Sequence, residues 1–544
     1  MKHNNKIIFV LLVFLFPFFI LFLSYLPNFY EASLISQLPS DRTMIPGEHI
    51  YTYDYNVYLS KIRQGKEGRF SIINKYDNQT NQQGVFLQMV YLLGGKVGGI
   101  LNLDSSLIFH LERVLFSSLW VLIIIYLSLF FFRRKKYYSL AIIISTLAAS
   151  FPIFYKIDNQ FWLGSYMSWW QEMDMLKRIS FLPHYLLNYI IMAVLTILLT
   201  IYAKNKQKRI FIAICLILFL SFFIHPSSGL VFLFSFIIYI IIAKDFSLLP
   251  RFFFLSILSL VPLLYIKTVT SYPAWIGLVG FDKKYPLPFN FINYILALGP
   301  VAFSGFLGLF LVLKKKDLNF LPIATWVLGA FFGLVFFKIF PIQSAVRFVQ
   351  TANQIPLAIL TVYFFKYVFE QKNKLFNILV YFWIVVIIST GIVQTIYSIK
   401  SQFHFIHQRA VATLPLVPYP SQVMYPLNDF YNGLLWLEKH SSDKSVVLSK
   451  ITAGNYIPAY SGNFVYLGHS GETPGFEEKQ AKTGVFFSGS MNEPLAYEFL
   501  RSSKINYVFY GPQEKENAIQ NISRYSFLKP VYESYYVTIY KVKF

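Results

Sequence analysis

Long apolar runs alternate with short charged connections through about the first four hundred residues of this chain. Runs such as IIFVLLVFLFPFFILFLSYL and IFIAICLILFLSFFI contain no charged residue, and roughly twenty such residues cross a bilayer as a helix. The pattern predicts about eleven spans. Their cores lie near Ile7–Leu26, Leu107–Phe132, Tyr138–Tyr155, Leu182–Tyr202, Ile210–Ile224, Gly229–Ala243, Phe252–Val269, Phe291–Leu313, Phe320–Phe340, Ile355–Val368 and Leu375–Tyr397. From about Ser401 the pattern changes. Strand-like runs (SVVLS, NFVYLG, INYVFYG, SYYVTIYKV) alternate with helical patterns (DFYNGLLWLEKH, NEPLAYEFLRSS), which predicts an α/β domain large enough for its own core. The expected organisation is a membrane domain over residues 1–400 and an α/β domain over 401–544.

One stretch breaks the apolar pattern. After the first span comes a polar loop, at about 28–106, containing YTYDYNVYLSKIRQGKEGRF and so Asp54. Charge places this loop. Lys2 and Lys6, Arg133–Lys136, Lys204–Arg209, Lys244 with Arg251, Lys314–Lys316, and Lys372 with Lys374 all fall in alternate connections. The positive-inside rule makes that side cytoplasmic. The N-terminus is then cytoplasmic, while the polar loop, the HPSSG turn and the tail lie outside.

Composition agrees with a multi-pass protein of the cell membrane. The chain is 56% hydrophobic and only 14% charged, against about a quarter charged in soluble proteins. Its net charge of +22 would suggest nucleic acid in a soluble protein, but here much of the excess sets orientation, and no nucleic-acid partner is expected. Membrane lipid is the expected surroundings. No small-residue cleavage site follows the first run, so it reads as a retained span. The single cysteine, Cys215, excludes an intrachain disulfide and a cysteine-based metal site.

Ionisable residues inside a membrane normally mark a pathway. The central thirds of these spans hold almost none, which argues against an ion-coupled transporter. The outer ends differ: Arg113, Lys156, Arg178, His184, His225, Lys267, Lys338 and Arg347 cluster where the positive-inside rule wants fewest cations. Either they snorkel to lipid head groups or they meet an anion such as a lipid phosphate. Arg63 lies about one and a half turns beyond Tyr58 and points to phosphate or to solvent. The stretch DNQFWLGSYMSWWQEMDMLKR holds Trp169, Trp170, Glu172 and Asp174. Its aromatics are interface anchors or a platform for sugar rings, with the acids bonding hydroxyls.

A first span, an external loop carrying an acid, then Tyr58 and a helix ending near Gly65 or Gly68 resembles the GT-C superfamily. That superfamily includes the protein O-mannosyltransferases and the lipid A aminoarabinose transferases, which use polyprenyl-phosphate sugars. The resemblance covers the topology of the membrane portion, and its motif, YDYNVYLSKIRQGKEG, is short. It implies a polytopic α-helical GT-C-like fold and inverting transfer of a sugar to a glycan, lipid or protein acceptor of the cell envelope. By the same resemblance Asp54 is the general base. The donor phosphate is expected on a subset of Arg63, Arg178, His184, His225, Lys267 and Arg347, and the acceptor or sugar on Tyr58, Trp169, Trp170, Glu172 and Asp174. There is no D-x-D, since Asp54 is followed by Tyr55 and Asn56, so no metal is indicated. Many members carry a second acid beside the first, where this chain has Tyr55. The alternatives are a lipid-linked glycan polymerase or ligase and a transporter or flippase.

Overall fold

A computed structural model of the protein describes residues 2–278, 287–342, 344–411, 425–516 and 518–544. The chain forms two compact units. The first comprises Met1–Pro27, Glu112–Tyr265 and Leu287–Gln402; the second comprises Asn28–Leu111, Ile266–Pro286 and Phe403–Phe544.

The helices used below are α1 (Lys2–Ser33), α2 (Thr52–Lys66), α3 (Met89–Ile100), α4 (Ser105–Phe131), α5 (Lys135–Leu147), α6 (Met175–Ile179), α7 (Pro183–Asn205), α8 (Lys208–Ile224), α9 (Pro226–Ala243), α10 (Leu249–Val269), α11 (Phe291–Leu298), α12 (Pro300–Lys315), α13 (Leu321–Ile339), α14 (Gln354–Glu370), α15 (Lys374–Ala410), α16 (Asn428–His440), α17 (Ile451–Tyr460), α18 (Phe476–Phe487) and α19 (Glu493–Ser502). Among the described residues, seven are long and apolar enough to cross a membrane, and the bent pair α11–α12 would make an eighth.

That count is lower than the eleven spans expected, although each expected span falls at least in part on a helix. Three of the helices are short: α5 has 13 residues, and α8 and α14 have 17 each. The third span was expected to reach Tyr155, but α5 stops at Leu147. Pro152 cannot donate to a helix ladder, and the chain beyond it forms a hairpin of β1 (Ile153–Ile157) and β2 (Gln160–Gly164). The eighth expected span is bent by 94°. Its break falls at Gly299, held at φ +76°, with Pro300 opening α12; a Cβ at Gly299 would stand 1.7 Å from the Ala149 carbonyl.

Helix ends carry the charge signal seen in the sequence. Helices α7, α9 and α12 stop at Lys206, Lys244 and Lys316, each in the left-handed conformation. Glycine is the usual residue there. Lysine accepts the strain and brings a cation to the negative end of the helix dipole.

In the second unit the tail forms a five-stranded sheet in the order β4-β3-β5-β7-β6. Its strands are β3 (Val446–Leu448), β4 (Phe464–Val465), β5 (Tyr507–Tyr510), β6 (Leu528–Glu533) and β7 (Thr538–Val542). β3 runs parallel to β4 and β5, while β7 is antiparallel to β5 and β6. Alternation of side chains sends Val446, Leu448, Val508 and Tyr510 into one core and Val447, Tyr507 and Phe509 into another. The second of these cores also takes Ile45, Val57 and Tyr76 from the first polar loop. Loop and tail therefore share one hydrophobic core, and this explains how α2, a sequence of low hydrophobicity, is buried from Tyr55 through Ile62.

Candidate active site

Before α2 the carboxylate of Glu48 accepts the backbone N–H of Ile50 at 2.9 Å and that of Tyr51. Helix α2 then starts at Thr52, with Asp54 in its first turn. The Asp54 side chain is 39% exposed, in a helix otherwise mostly buried. His469 Nε2 lies 3.0 Å from Asp54 Oδ1. The other ring nitrogen, Nδ1, accepts the backbone N–H of Gly471 at 3.1 Å. An imidazole that accepts at Nδ1 carries its proton on Nε2, so His469 donates to the Asp54 carboxylate.

The ring is fixed on several sides. Tyr53 stacks on it at 4.1 Å and Tyr76 meets it edge-on at 6.1 Å. The Tyr53 hydroxyl accepts from Ser470 N at 2.8 Å and donates to Ser470 Oγ at 3.2 Å; burial pushes that phenol's pKa up, so it stays neutral. Thr473 Oγ1 accepts the N–H groups of Gly468 and His469. From α17, Asn455 accepts from Asn56 Nδ2 at 2.7 Å, donates to the Tyr53 carbonyl at 3.2 Å, and receives the Tyr76 hydroxyl on its own carbonyl at 3.0 Å. Only glycine lets these parts meet: a Cβ at Gly454 would stand 1.9 Å from the Leu467 carbonyl, and one at Gly468 2.4 Å from the Gly454 carbonyl.

Two turns along α2 from Asp54, on the same face, Lys61 Nζ lies 3.6 Å from Glu472 Oε1 and donates to Gln88 Oε1 at 2.7 Å. Both side chains of that ion pair are 9% exposed. The segment 468–473 thus supplies a partner to each of two charged residues of α2.

The first unit holds a separate polar cluster. Glu172 is fully buried, and neither of its carboxyl oxygens has a hydrogen-bond partner among the described residues. Burial pushes its pKa up to about 8, against the lowering by its own backbone, Arg178 and Arg347, so near neutrality it is mainly the uncharged acid. Arg178 is buried too, donating to the carbonyls of Glu172 and Ala148; burial lowers it to about 10, which leaves it charged. His225 Nδ1 is 2.8 Å from Ser227 Oγ. Burial first, then the charge of Arg347, takes His225 down to about 3, so it is a neutral ring. Arg347 reaches Gln350 Oε1 at 3.5 Å, and Gln350 donates to the Tyr185 hydroxyl at 2.9 Å. The Tyr185 ring lies 4.4 Å from that of His184 and 5.3 Å from that of His225. Glu172, Arg178, His184, His225 and Arg347 are therefore neighbours within this unit.

Other residues nominated by the sequence occupy different settings. Arg63 is clamped in the second unit between Glu67 at 2.7 Å, Glu438 at 2.9 Å and the Tyr460 carbonyl at 2.8 Å. Tyr58 is buried, with Tyr91 stacked at 4.6 Å and Phe109 at 6.2 Å. Lys267 is exposed in the last turn of α10. Trp169 is 58% exposed, whereas Trp170 is 2% exposed. Asp174 caps α6, accepting from Leu176 N and Lys177 N. Among the described residues no three His, Cys, Asp or Glu side chains could together hold a metal ion.

Sequence reasoning missed His469, Asn455 and Glu472. The signal for the loop was present: LGHSGET follows a strand-like run directly, where open parallel sheets carry their ligand loops.

No family model and no curated protein matches the chain by sequence. Solved structures do match in fold. The archaeal oligosaccharyltransferase AglB from Archaeoglobus fulgidus, in complex with an inhibitory peptide and a dolichol-phosphate, superposes with a TM-score of 0.50 at 12% identity, over 91% of this chain and 69% of that one. ArnT from Cupriavidus metallidurans, bound to undecaprenyl phosphate, superposes with a TM-score of 0.51 at 10% identity, over 98% of this chain and 97% of that one. A helical portion with apolar spans, joined to a sheet-bearing tail, gives this chain the same fold as these two structures, the GT-C-like architecture expected from the sequence.

Proposed function

We propose that this protein is an inverting glycosyltransferase that moves a sugar from a polyprenyl-phosphate donor to an acceptor hydroxyl on the extracytoplasmic side of the cell membrane. Asp54 removes the acceptor proton as the oxygen attacks the anomeric carbon. The bond from that carbon to the phosphate oxygen breaks on the opposite face, and the configuration inverts. Negative charge collects on the departing polyprenyl phosphate, and Arg347 stabilises it. Arg347 is the choice because it is only half-buried. Arg178, by contrast, is fully buried against two carbonyls. The exposed ring of Trp169 offers a face to a sugar.

The observation that carries this reading is the Asp54 carboxylate, held by a neutral imidazole on one oxygen and 39% exposed. Two fold relatives described with a dolichol-phosphate and with undecaprenyl phosphate support the donor class. The lysines at the ends of α7, α9 and α12 support a cytoplasmic N-terminus. The test is stereochemical: purified protein is given β-linked undecaprenyl-phosphate glucose, mannose and galactose with a cell-envelope glycan extract, and the product's anomeric proton is read by NMR. An α-linked product agrees with the single displacement; a β-linked product contradicts it.

A further inference from the structure

We infer that the α/β tail is part of the catalytic centre, with His469 as the positioning residue that aims the Asp54 carboxylate. The inference rests on Asp54 being the base, and adds a residue and a domain to that reading.

The sheet itself points to this edge. β3 and β4 are adjacent and parallel, and ligand-handling loops of such sheets gather at the carboxyl ends of the strands. Here the segment after β3 leads to Asn455 in α17, and the segment after β4 leads to His469. Both side chains reach the first turns of α2: Asn455 holds Asn56 and the Tyr53 carbonyl, and His469 holds Asp54. Two neighbouring strands thus send their following segments to one spot on one helix.

The chemistry of the ring defines its task. Nδ1 faces the N–H of Gly471 and Nε2 faces Asp54, so both nitrogens are committed and the proton sits on Nε2. A ring in that state cannot take up the acceptor's proton at Nδ1 without losing the Gly471 bond. His469 is therefore no relay, and the proton taken from the acceptor stays on Asp54 until solvent removes it. One N–H donated to Oδ1 at 3.0 Å fixes the carboxylate's rotation. Oδ2, which has no protein partner among the described residues, is left to accept the hydroxyl proton. The Tyr53 stack and the Ser470 bonds keep the ring from turning.

The test uses the full-length protein in lipid nanodiscs, with undecaprenyl-phosphate glucose, mannose and galactose as donor probes, a cell-envelope glycan extract as the acceptor, and release of undecaprenyl phosphate as the readout. His469→Ala, His469→Gln and Asp54→Asn are measured side by side. His469→Ala should lower kcat by about tenfold to a hundredfold, the scale of a misaimed catalytic group, and leave KM for the donor within about twofold. His469→Gln keeps an N–H donor at the position of Nε2 and should recover most of the loss. If His469→Ala fails to fold, the Gln variant is compared with the wild type and with Asp54→Asn. Wild-type kcat in His469→Ala while Asp54→Asn is silent overturns the positioning role alone, as does a folded Gln variant no better than Ala or than Asp54→Asn. Wild-type turnover in Asp54→Asn overturns the base assignment, and the inference with it.

Discussion

His469 Nε2 stands 3.0 Å from Asp54 Oδ1 across 415 residues of sequence. The contact joins the first polar loop to the α/β tail, and both already share a core through Val57 and Tyr76. A carboxylate in a mobile surface loop would be a poor base, because orientation accounts for much of its efficiency. Here the helix start is fixed by Glu48 and the side chain by His469.

Arg63 is a structural clamp. Its guanidinium spans Glu67, Glu438 and the Tyr460 carbonyl and is 19% exposed. Arg63→Met should cost about 1 kcal/mol of stability, discounted for the partly exposed carboxylates. It should leave the donor KM unchanged. Thermal unfolding in detergent beside a donor titration checks both; a raised KM with unchanged stability would return Arg63 to the phosphate site.

Lys61 and Glu472 make a pair of another kind, since both are almost out of solvent. Removing one charge leaves the other buried and uncompensated, which costs about 3 kcal/mol. Lys61→Met should therefore destabilise strongly, and the double variant Lys61→Met with Glu472→Leu should be closer to wild type. Denaturation midpoints of the wild type, Lys61→Met, Glu472→Leu and the double variant form the cycle. A loss in the double variant equal to the sum of the two single losses would show that the pair is not coupled.

Glu172 gives a pH signature. Its pKa is raised by burial from the ordinary 4.5 to about 8, so the folded state binds a proton that the unfolded state releases. That contribution to stability is complete below about 4.5 and is lost as pH rises through about 8. Glu172→Gln, neutral and of similar shape, should flatten this dependence. Melting temperatures between pH 5 and 9 should fall more steeply for the wild type than for the variant; parallel curves would mean that Glu172 ionises normally.

Much of the architecture was legible in the sequence because hydrophobic runs and lysine placement are local signals. Every expected span lies on a helix except the end of the third, and the four strand-like runs of the tail became β3, β4, β5 and β7. β6 was missed because Pro530 interrupts its pattern, and a register shift marks that position. Fewer than eleven helices are long enough to cross a membrane because α5, α8 and α14 are short, and window hydrophobicity registers neither a short helix nor the Gly299–Pro300 bend. At the candidate site Asp54 was legible through its neighbours in a short motif, but its partner was not. Nothing local to LGHSGET says that its histidine will meet a helix near the other end of the chain. The cations divided the same way: spacing placed them at span ends, while only tertiary structure showed Arg63 clamped by acids and His225 buried beside Arg347.

The role of Asp54 as base is open to a single substitution. Asp54→Asn keeps the size of the side chain and its bond from His469 while removing the charge that accepts a proton. With a polyprenyl-phosphate sugar, donor binding and sugar transfer are scored separately in the purified variant. Donor binding should stay within about twofold of wild type while the transfer rate falls at least about a hundredfold, the scale of a lost general base. Transfer at the wild-type rate would contradict that role.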